Sequence, residues 1–154
     1  MTQLRPLTRE SVRPLLDLQV LPAQSTFVGS NAVTMGQAHF EPGTEIYGIW
    51  DNDVAVGMMA IIDMSHPEQA HEDADSLYIW RLMIGANHQG HGHGNVALNF
   101  VIDLARKKQR TSVSLTSVDA EGCAIPFYER NGFRRTGKII DGEAQLILHL
   151  TESL

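Results

Sequence analysis

The sequence has little of several features that define whole classes of protein. It contains one cysteine, Cys123, so an internal disulfide is excluded and a reducing compartment is indicated. No apolar run approaches the roughly 20 residues that a membrane-spanning helix needs. The first ten residues lack the basic and then apolar pattern of a signal peptide. We therefore expect a cytoplasmic protein with no membrane partner.

Positive charge is also scarce. The 154 residues include 12 Lys and Arg against 18 Asp and Glu, a formal net charge of −6. This balance argues against nucleic acid as a primary partner. It favours a cationic substrate through electrostatic steering, although solubility alone also explains an acidic surface. With 43% hydrophobic residues the chain can bury a real core, and its length fits one domain over residues 1–154.

The hydrophobic periodicity predicts one mixed α/β domain. The predicted strands are residues 3–7, 45–50, 54–64, 76–84, 111–118, 133–140 and 143–150. The predicted helices are residues 8–21, a short helix capped by Ser30 or Asn31 and reaching about residue 39, residues 94–108, and residues 121–131. Residues 65–75 are predicted to form a polar loop. Asp141-Gly142 is the signal of a type I′ hairpin turn.

A glycine-rich loop follows the strand at residues 76–84 and opens the next helix. Its glycines let backbone N–H groups approach an anion, and the helix N-terminus adds unpaired donors and partial positive charge. The loop therefore predicts a pyrophosphate site. A Walker P-loop is excluded because no Gly-Lys-Ser/Thr follows, and a dinucleotide-binding Rossmann unit fits poorly after a hairpin. The loop residues are Gln89, Gly90, His91, Gly92, His93 and Gly94.

Two motifs together resemble the GNAT superfamily of N-acetyltransferases. The pattern Gln-x-x-Gly-x-Gly after a strand is similar to the acetyl-CoA signature of that family. About 35 residues later, residues 126–133 read Pro-Phe-Tyr-Glu-Arg-Asn-Gly-Phe, which resembles the tyrosine-bearing helix and the Gly-Phe that ends it. The resemblance implies the GNAT fold, an α/β (α+β) domain with a mixed, mostly antiparallel sheet of about seven strands and about four helices.

A narrower similarity links the chain to bacterial diamine (spermine/spermidine) acetyltransferases. It rests on residues 27–31 (Phe-Val-Gly-Ser-Asn), 80–84 (Trp-Arg-Leu-Met-Ile), 136–138 (Thr-Gly-Lys) and 141–143 (Asp-Gly-Glu). This similarity implies acetyl transfer from acetyl-CoA to a primary amine, a polyamine or diamine, by direct attack in a ternary complex. We expect a small-molecule amine as partner and a homodimer as the assembly.

The resemblance also implies roles for particular residues. The backbone of Leu82, Met83 and Ile84 would contact the pantetheine arm, and residues 89–94 would hold the pyrophosphate. Tyr128 matches the tyrosine that protonates the departing thiolate. One position departs from the pattern: Glu121 stands where the family usually has an asparagine that bonds the pantetheine arm. An ionised glutamate cannot donate that hydrogen bond, although it could help the helix N-terminus electrostatically.

The acceptor side is less constrained by the sequence. An aliphatic amine has a pKa of about 10, so it must lose a proton before attack. Candidates for the base are Glu41, Asp63, His66 and Glu143, and a chain of water molecules is the alternative, so no base is assigned. Candidates for an acidic lining around a cationic acceptor are Glu41, Glu45 and Asp63.

Two further interpretations are disfavoured. His88, His91 and His93 are closely spaced, but no cysteine or fixed carboxylate accompanies them, so we expect no metal and expect these side chains to point outward. Cys123 lacks the His-Asn partners of a nucleophile.

Two other functions stay open: a non-catalytic acyl-CoA sensor of the same fold, and an acetyltransferase for another acceptor such as a peptide N-terminus or an antibiotic. Tyr128 favours the enzyme over the sensor, whereas Glu121 leaves the sensor open.

Overall fold

The chain forms one seven-stranded sheet with helices packed on it. The structure is a computed structural model that describes residues 1–69 and 74–151. The strands are β1 (Thr2–Pro6), β2 (Thr44–Asp51), β3 (Val54–Asp63), β4 (Ser76–Ile84), β5 (Ser112–Ser117), β6 (Arg134–Ile140) and β7 (Glu143–His149). The helices are α1 (Val12–Leu16), α2 (Asn31–Ala38), α3 (His93–Lys107) and α4 (Ile125–Arg130). Two short 3-10 helices lie at Pro22–Gln24 and Ala86–His88.

The strand order across the sheet is β1-β2-β3-β4-β5-β7-β6. Neighbouring strands are antiparallel except for β4 and β5, which are parallel. Parallel neighbours need a long crossover, and α3 supplies it between β4 and β5. The predicted mixed, mostly antiparallel sheet with four helices is confirmed.

The main core lies between the sheet and α3. One stripe of that helix is buried at Ala97, Leu98, Val101 and Ala105, the spacing of a single helix face. It packs against sheet residues that are almost completely buried, among them Leu77, Leu115 and Leu146. Replacing Leu98 by Ala would cost about 2–5 kcal/mol of unfolding free energy, as is typical for such core sites.

Helix α1 is shorter than the periodicity predicts. It covers Val12–Leu16 instead of residues 8–21. Leu21 precedes Pro22, and the proline ring disfavours helical backbone at the preceding residue, so Leu21 is extended, with φ −58° and ψ 145°. The carbonyl of Gln19 instead accepts a hydrogen bond from the Ala86 N–H at 2.7 Å. The residues after α1 therefore form an extended segment that is hydrogen-bonded to Ala86, just before the glycine loop.

Helix α4 is also shorter than predicted, because it begins at Ile125 and not at residue 121. Pro126 lies in its first turn, the only helical turn that tolerates a residue without an N–H. The preceding residues form turns, with Gly122 at φ +79°. Glu121 is therefore an exposed turn residue and does not occupy the first turn of the helix.

The predicted caps and turns are found. Ser30 caps α2, since its Oγ accepts from the Val33 N–H at 3.2 Å. Asn31 is buried and donates to the Leu15 carbonyl at 2.8 Å instead. Asp141 and Gly142 both have positive φ, +51° and +81°, as a type I′ turn requires.

The predicted polar loop at residues 65–75 includes residues 70–73, and the chain end includes residues 152–154; both stretches lie outside the described residues. Among the helices that the structure describes, none is long and apolar enough to cross a membrane.

Candidate functional site

Strands β4 and β5 pair along only part of their length. Pairing runs from Ser76–Ser112 to Ile79–Leu115 and then stops. On its other side β4 continues against β3, where Ala60 pairs with Arg81 and Ile61 with Ile79, which leaves Trp80 as the extra residue of a β-bulge. The bulge turns the second half of β4 away from β5. A gap therefore opens in the middle of the sheet beside Trp80.

A first cavity of about 480 Å³ occupies one side of this gap. The predicted cofactor-binding residues that line it are Leu82, Met83, Ile84, Gln89, Gly90, Gly92, His93 and Gly94. The structure thus brings the end of β4 and the glycine loop into one site. Of the predicted cofactor-binding residues, His91 is the one that does not line the cavity. Gly122 and Cys123 line it as well, whereas Glu121 does not.

The glycine loop has the backbone that its composition predicts. Gly90 and Gly92 adopt left-handed conformations, with φ +81° and +83°, and no protein atom lies within 4 Å of where their Cβ would be. Gly92 is the N-cap of α3, whose first N–H groups have no partner within the helix. The loop is therefore an open cradle of backbone donors at a positive helix end, which suits a phosphate group.

The side chain of Gln89 has a different role from the glycines. Its Nε2 donates to the Ile84 carbonyl at 3.0 Å and to Gln24 Oε1 at 2.8 Å. Gln89 therefore fastens the loop to the end of β4 and to the 3-10 helix at Pro22–Gln24.

The sequence suggested that the loop histidines all point outward, but one of them, His93, does not. His93, the first residue of α3, is 6% exposed, and its Nδ1 lies 2.8 Å from Oγ1 of Thr2. Its ring therefore packs against β1. His91 is exposed. In residues 1–69 and 74–151, no group of three or more His, Cys, Asp or Glu side chains is arranged to hold a metal ion.

Tyr128 lies on α4 and lines the first cavity. It is 7% exposed, and its ring packs edge-on against Phe127 and Phe133, with centroid distances of 5.1 and 5.5 Å. Burial raises the pKa of the Tyr128 phenol well above its ordinary value. Within the part of the chain that the structure describes, the Tyr128 hydroxyl makes no hydrogen bond. It is thus a protonated hydroxyl held in place by packing alone.

A second cavity of about 490 Å³ adjoins the first at Tyr128. The two cavities share five lining residues, Phe27, Val28, Leu82, Ala124 and Tyr128. The polar and charged lining of the second cavity includes Tyr78, Arg81, Thr116, Asp141 and Glu143. Sequence reasoning named Glu143 among several bases but missed Tyr78, Thr116 and Asp141. Asp141 carried a signal as a turn residue and within the segment 141–143 that is similar to diamine acetyltransferases, and the two hydroxyl residues carried none.

The three carboxylates predicted to line an acceptor site lie elsewhere. Glu41, Glu45 and Asp63 belong to the end of the sheet remote from the glycine loop, and none of them lines either cavity. Glu41 accepts from Gln69, Glu45 pairs with Lys108 at 3.3 Å, and Asp63 forms a two-bond pair with Arg110, each bond 3.0 Å. Burial alone would raise the pKa of Asp63, but hydrogen bonds from Arg110 and Ser65 outweigh it and lower that pKa to about 2.

The chain is similar to known proteins in sequence and in fold. Over 96 residues the chain is 26% identical to N-acetyltransferase family 8 member 2 of Rattus norvegicus. That match covers 62% of this chain and 41% of the rat protein, so the chain spans less than half the length of this relative.

Two solved structures share the fold over almost the whole chain. The PaiA N-acetyltransferase of Thermoplasma acidophilum, in complex with coenzyme A, has a TM-score of 0.71 at 13% identity, covering 97% of this chain and 99% of the other. A GNAT family acetyltransferase of Elizabethkingia anophelis with acetyl-CoA bound has a TM-score of 0.67 at 16% identity, covering 97% and 98%. Residues 14–133, which include the cradle and Tyr128, match the Acetyltransferase (GNAT) family, and the chain belongs to that family.

Proposed function

We propose that this protein is an acetyl-CoA-dependent N-acetyltransferase that transfers the acetyl group to a primary amine. The observation that carries the proposal is the junction of two cavities at the buried, protonated hydroxyl of Tyr128. One cavity ends in a phosphate cradle and the other is lined by acidic and hydroxyl groups. Two substrates, one in each cavity, would meet beside a proton donor.

The first cavity fits acetyl-CoA. The cradle at Gly90 and Gly92 suits the pyrophosphate, and the edge of β4 beyond Ile79, where pairing with β5 ends, offers backbone groups to the amide-rich pantetheine arm. Two proteins of the same fold were solved with coenzyme A or acetyl-CoA, which supports this assignment. Glu121 lies outside the cavity, so the pantetheine arm would be held without a side chain at that position.

Acetyl transfer would proceed by direct attack of the amine. Its nitrogen bonds to the thioester carbon as the carbon–sulfur bond breaks, and Tyr128 gives its proton to the leaving sulfur. General acid catalysis of this kind contributes about 100- to 10,000-fold. The hydroxyl suits the task because burial keeps it protonated and no described group competes for its proton.

For the acceptor we propose a polyamine or diamine. Three of the segments that are similar to diamine acetyltransferases lie far apart in the sequence, yet residues 27–29, residues 80–82, Asp141 and Glu143 all line the second cavity. Asp141 and Glu143 there would face a second ammonium group. Arg81 lies on the β4 side, where its guanidinium stacks on Trp80 at 4.9 Å and donates to the Trp80 carbonyl at 3.0 Å.

An amine panel tests both levels of this proposal. Coenzyme A release is measured with a thiol reagent in the presence of spermidine, spermine, putrescine, an N-terminal peptide or an aminoglycoside, and products are identified by mass spectrometry. Release with the polyamines supports the full proposal. Release only with the peptide or aminoglycoside contradicts the polyamine assignment and leaves acetyl transfer intact. Acetyl-CoA binding with no release for any amine would contradict the enzyme and favour a non-catalytic sensor.

A further inference from the structure

Three side chains from three neighbouring strands form a hydrogen-bonded row in the wall of the second cavity. Tyr78 on β4 and Thr116 on β5 have their hydroxyl oxygens 2.9 Å apart. Thr116 Oγ1 lies 3.3 Å from Oε1 of Glu143 on β7. All three residues line the second cavity. We call them the hydroxyl row.

The chemistry of the three groups fixes the direction of the row. An ionised carboxylate only accepts hydrogen bonds, so Thr116 must donate its one proton to Glu143. Thr116 then has only lone pairs to offer Tyr78, and Tyr78 must be the donor of their bond. The Tyr78 oxygen keeps its own lone pairs for a further donor. Every proton in the hydroxyl row therefore points towards Glu143.

The row lies where the two substrates would meet. Ile79–Leu115 is the last pair before β4 and β5 diverge, and Tyr78 and Thr116 flank that pair on adjacent positions of the two strands. Tyr128 lines the same cavity from α4. One wall of the cavity thus carries a proton donor, and another carries a row whose open end accepts.

We infer that the hydroxyl row is a proton relay that takes the proton from the attacking amine to Glu143; this inference rests on the acetyl transfer proposed above. The amine enters this step in its neutral form, having given up its extra proton to solvent. As the carbon–nitrogen bond forms, its nitrogen becomes positively charged and acidic. It gives a proton to the Tyr78 oxygen while Tyr78 passes its own to Thr116 and Thr116 passes its own to Glu143. Glu143, which is only half-buried, then releases that proton to solvent, and Tyr128, having protonated the sulfur, regains one from solvent. Each group ends as it began.

The charges around the row are compatible with this direction. Burial raises the pKa of Tyr78, and the carboxylates of Glu143 and Asp141 raise it further, whereas the nearby Arg81 lowers it. The net effect keeps Tyr78 protonated, so it can hand on a proton only while accepting another. Transfer by a positioned chain of this kind needs hydrogen-bonding distances, and both contacts of the row meet that requirement.

The relay is tested with variants that break the hydroxyl row but keep the carboxylate of Glu143. Thr116→Val breaks the chain and keeps the size of the side chain, whereas Thr116→Ser restores the hydroxyl. Thr111→Val is the matched control, because it makes the same change at an exposed residue outside both cavities. We expect Thr116→Val to lower kcat about 100-fold, Thr116→Ser to stay within about threefold of wild type, and acetyl-CoA affinity to remain unchanged in both.

Two further variants make the test independent of one substitution. Tyr78→Phe interrupts the entrance of the row and keeps the ring, so it should lower kcat as Thr116→Val does. Glu143→Gln keeps the size of the side chain but replaces the carboxylate that ends the row, so it should lower kcat as well. If folded Thr116→Val and Tyr78→Phe both match Thr111→Val in kcat, the relay is wrong although acetyl transfer stands. Absence of turnover in the wild type with every amine would instead contradict the proposed function.

Discussion

The side-chain amides of Gln24 and Gln89 exchange two hydrogen bonds, at 2.8 and 3.4 Å, across 65 residues of sequence. Because Gln89 Nε2 also donates to the Ile84 carbonyl, both of its hydrogens are used within the protein. Gln89 therefore has no side-chain hydrogen left to donate to a ligand. In the proposed cofactor site its effect would be indirect, through the position of the loop.

The glutamine pair gives a prediction about coupling. We expect Gln89→Leu to weaken acetyl-CoA binding, measured by titration calorimetry, because it releases the loop from β4 and from the 3-10 helix. Gln24→Leu should weaken it by a smaller amount, and the double variant should be no worse than Gln89→Leu alone. Contacting residues typically couple by about 0.5–3 kcal/mol. Gln19→Leu is the control, since Gln19 is exposed and lines neither cavity. If the effects of Gln24→Leu and Gln89→Leu on acetyl-CoA affinity are additive, the two side chains do not act as a pair.

The phosphate cradle gives a second prediction. Gly92→Val should abolish the thermal stabilisation by acetyl-CoA, because a β-branched residue disfavours φ +83° and its side chain would occupy the space in front of the backbone donors. No protein atom lies within 4 Å of the added Cβ, so the apoprotein should lose only about 1–2 kcal/mol of stability from backbone strain.

Gly36→Ala is the matched control for that substitution. Gly36 lies in α2 with open space around it and without a positive φ. Alanine should therefore stabilise the helix by about 0.5–1 kcal/mol and leave the acetyl-CoA shift unchanged. A normal acetyl-CoA shift in Gly92→Val would show that the cradle does not hold the cofactor.

Local patterns predicted most of the fold. Apolar runs, weak alternation and turn residues identified all seven strands, and Asp141-Gly142 identified its hairpin, because these features depend on a few adjacent residues. The predicted helices at residues 8–21 and 121–131 were too long, since apolar spacing was weighed above local restrictions: Pro22 keeps Leu21 extended, and Pro126 lies in the first turn of a helix that begins at Ile125. Each proline restricts backbone in its own neighbourhood, and that restriction prevailed.

The candidate site was likewise predictable only in part. The glycine cradle was predictable because one short segment builds it. The hydroxyl row was not, since Tyr78 and Thr116 are 38 residues apart and meet only through the parallel pairing of β4 and β5. The acidic lining was proposed from charge alone, and charge does not say which end of a sheet a residue occupies; Asp63 faces Arg110 instead.

The pair of Asp63 and Arg110 gives a third prediction, about stability and pH. Hydrogen bonds lower the pKa of Asp63 to about 2, below the ordinary value of about 3.9, so the folded state favours the ionised form. The resulting stabilisation, about 2 kcal/mol, is fully present above about pH 5 and is lost as the pH falls through about 2. Asp63→Asn should therefore lower the urea midpoint at pH 7 but have little effect below about pH 2.

The same variant tests the acidic lining that the sequence suggested. Because Asp63 lies outside both cavities, the KM of Asp63→Asn for spermidine should equal that of the wild type. A raised KM with unchanged acetyl-CoA affinity would instead indicate that Asp63 contributes to the acceptor site.

Tyr128→Phe tests the proton donor. Burial raises the pKa of Tyr128, so the wild type keeps this proton throughout the usual assay range and kcat should show no alkaline limb from it below pH 10. Phenylalanine keeps the ring contacts with Phe127 and Phe133 but has no proton to give. We expect kcat to fall about 100-fold, the low end for general acid catalysis, because a thiolate is already a fair leaving group. Acetyl-CoA affinity should change little, the pattern of an interaction made in the transition state.

Stability separates this chemical role of Tyr128 from a structural one. Since the Tyr128 hydroxyl makes no hydrogen bond in residues 1–69 and 74–151, its removal should leave the melting temperature unchanged or slightly higher. Tyr47→Phe is the opposite case: it loses the bond to Glu45 at the remote end of the sheet, so it should cost about 1 kcal/mol of stability and leave kcat unchanged. An unaltered kcat in Tyr128→Phe, measured where chemistry limits turnover, would make Tyr128 a packing residue. A collapsed melting temperature or lost acetyl-CoA binding would mean that its hydroxyl holds the site together.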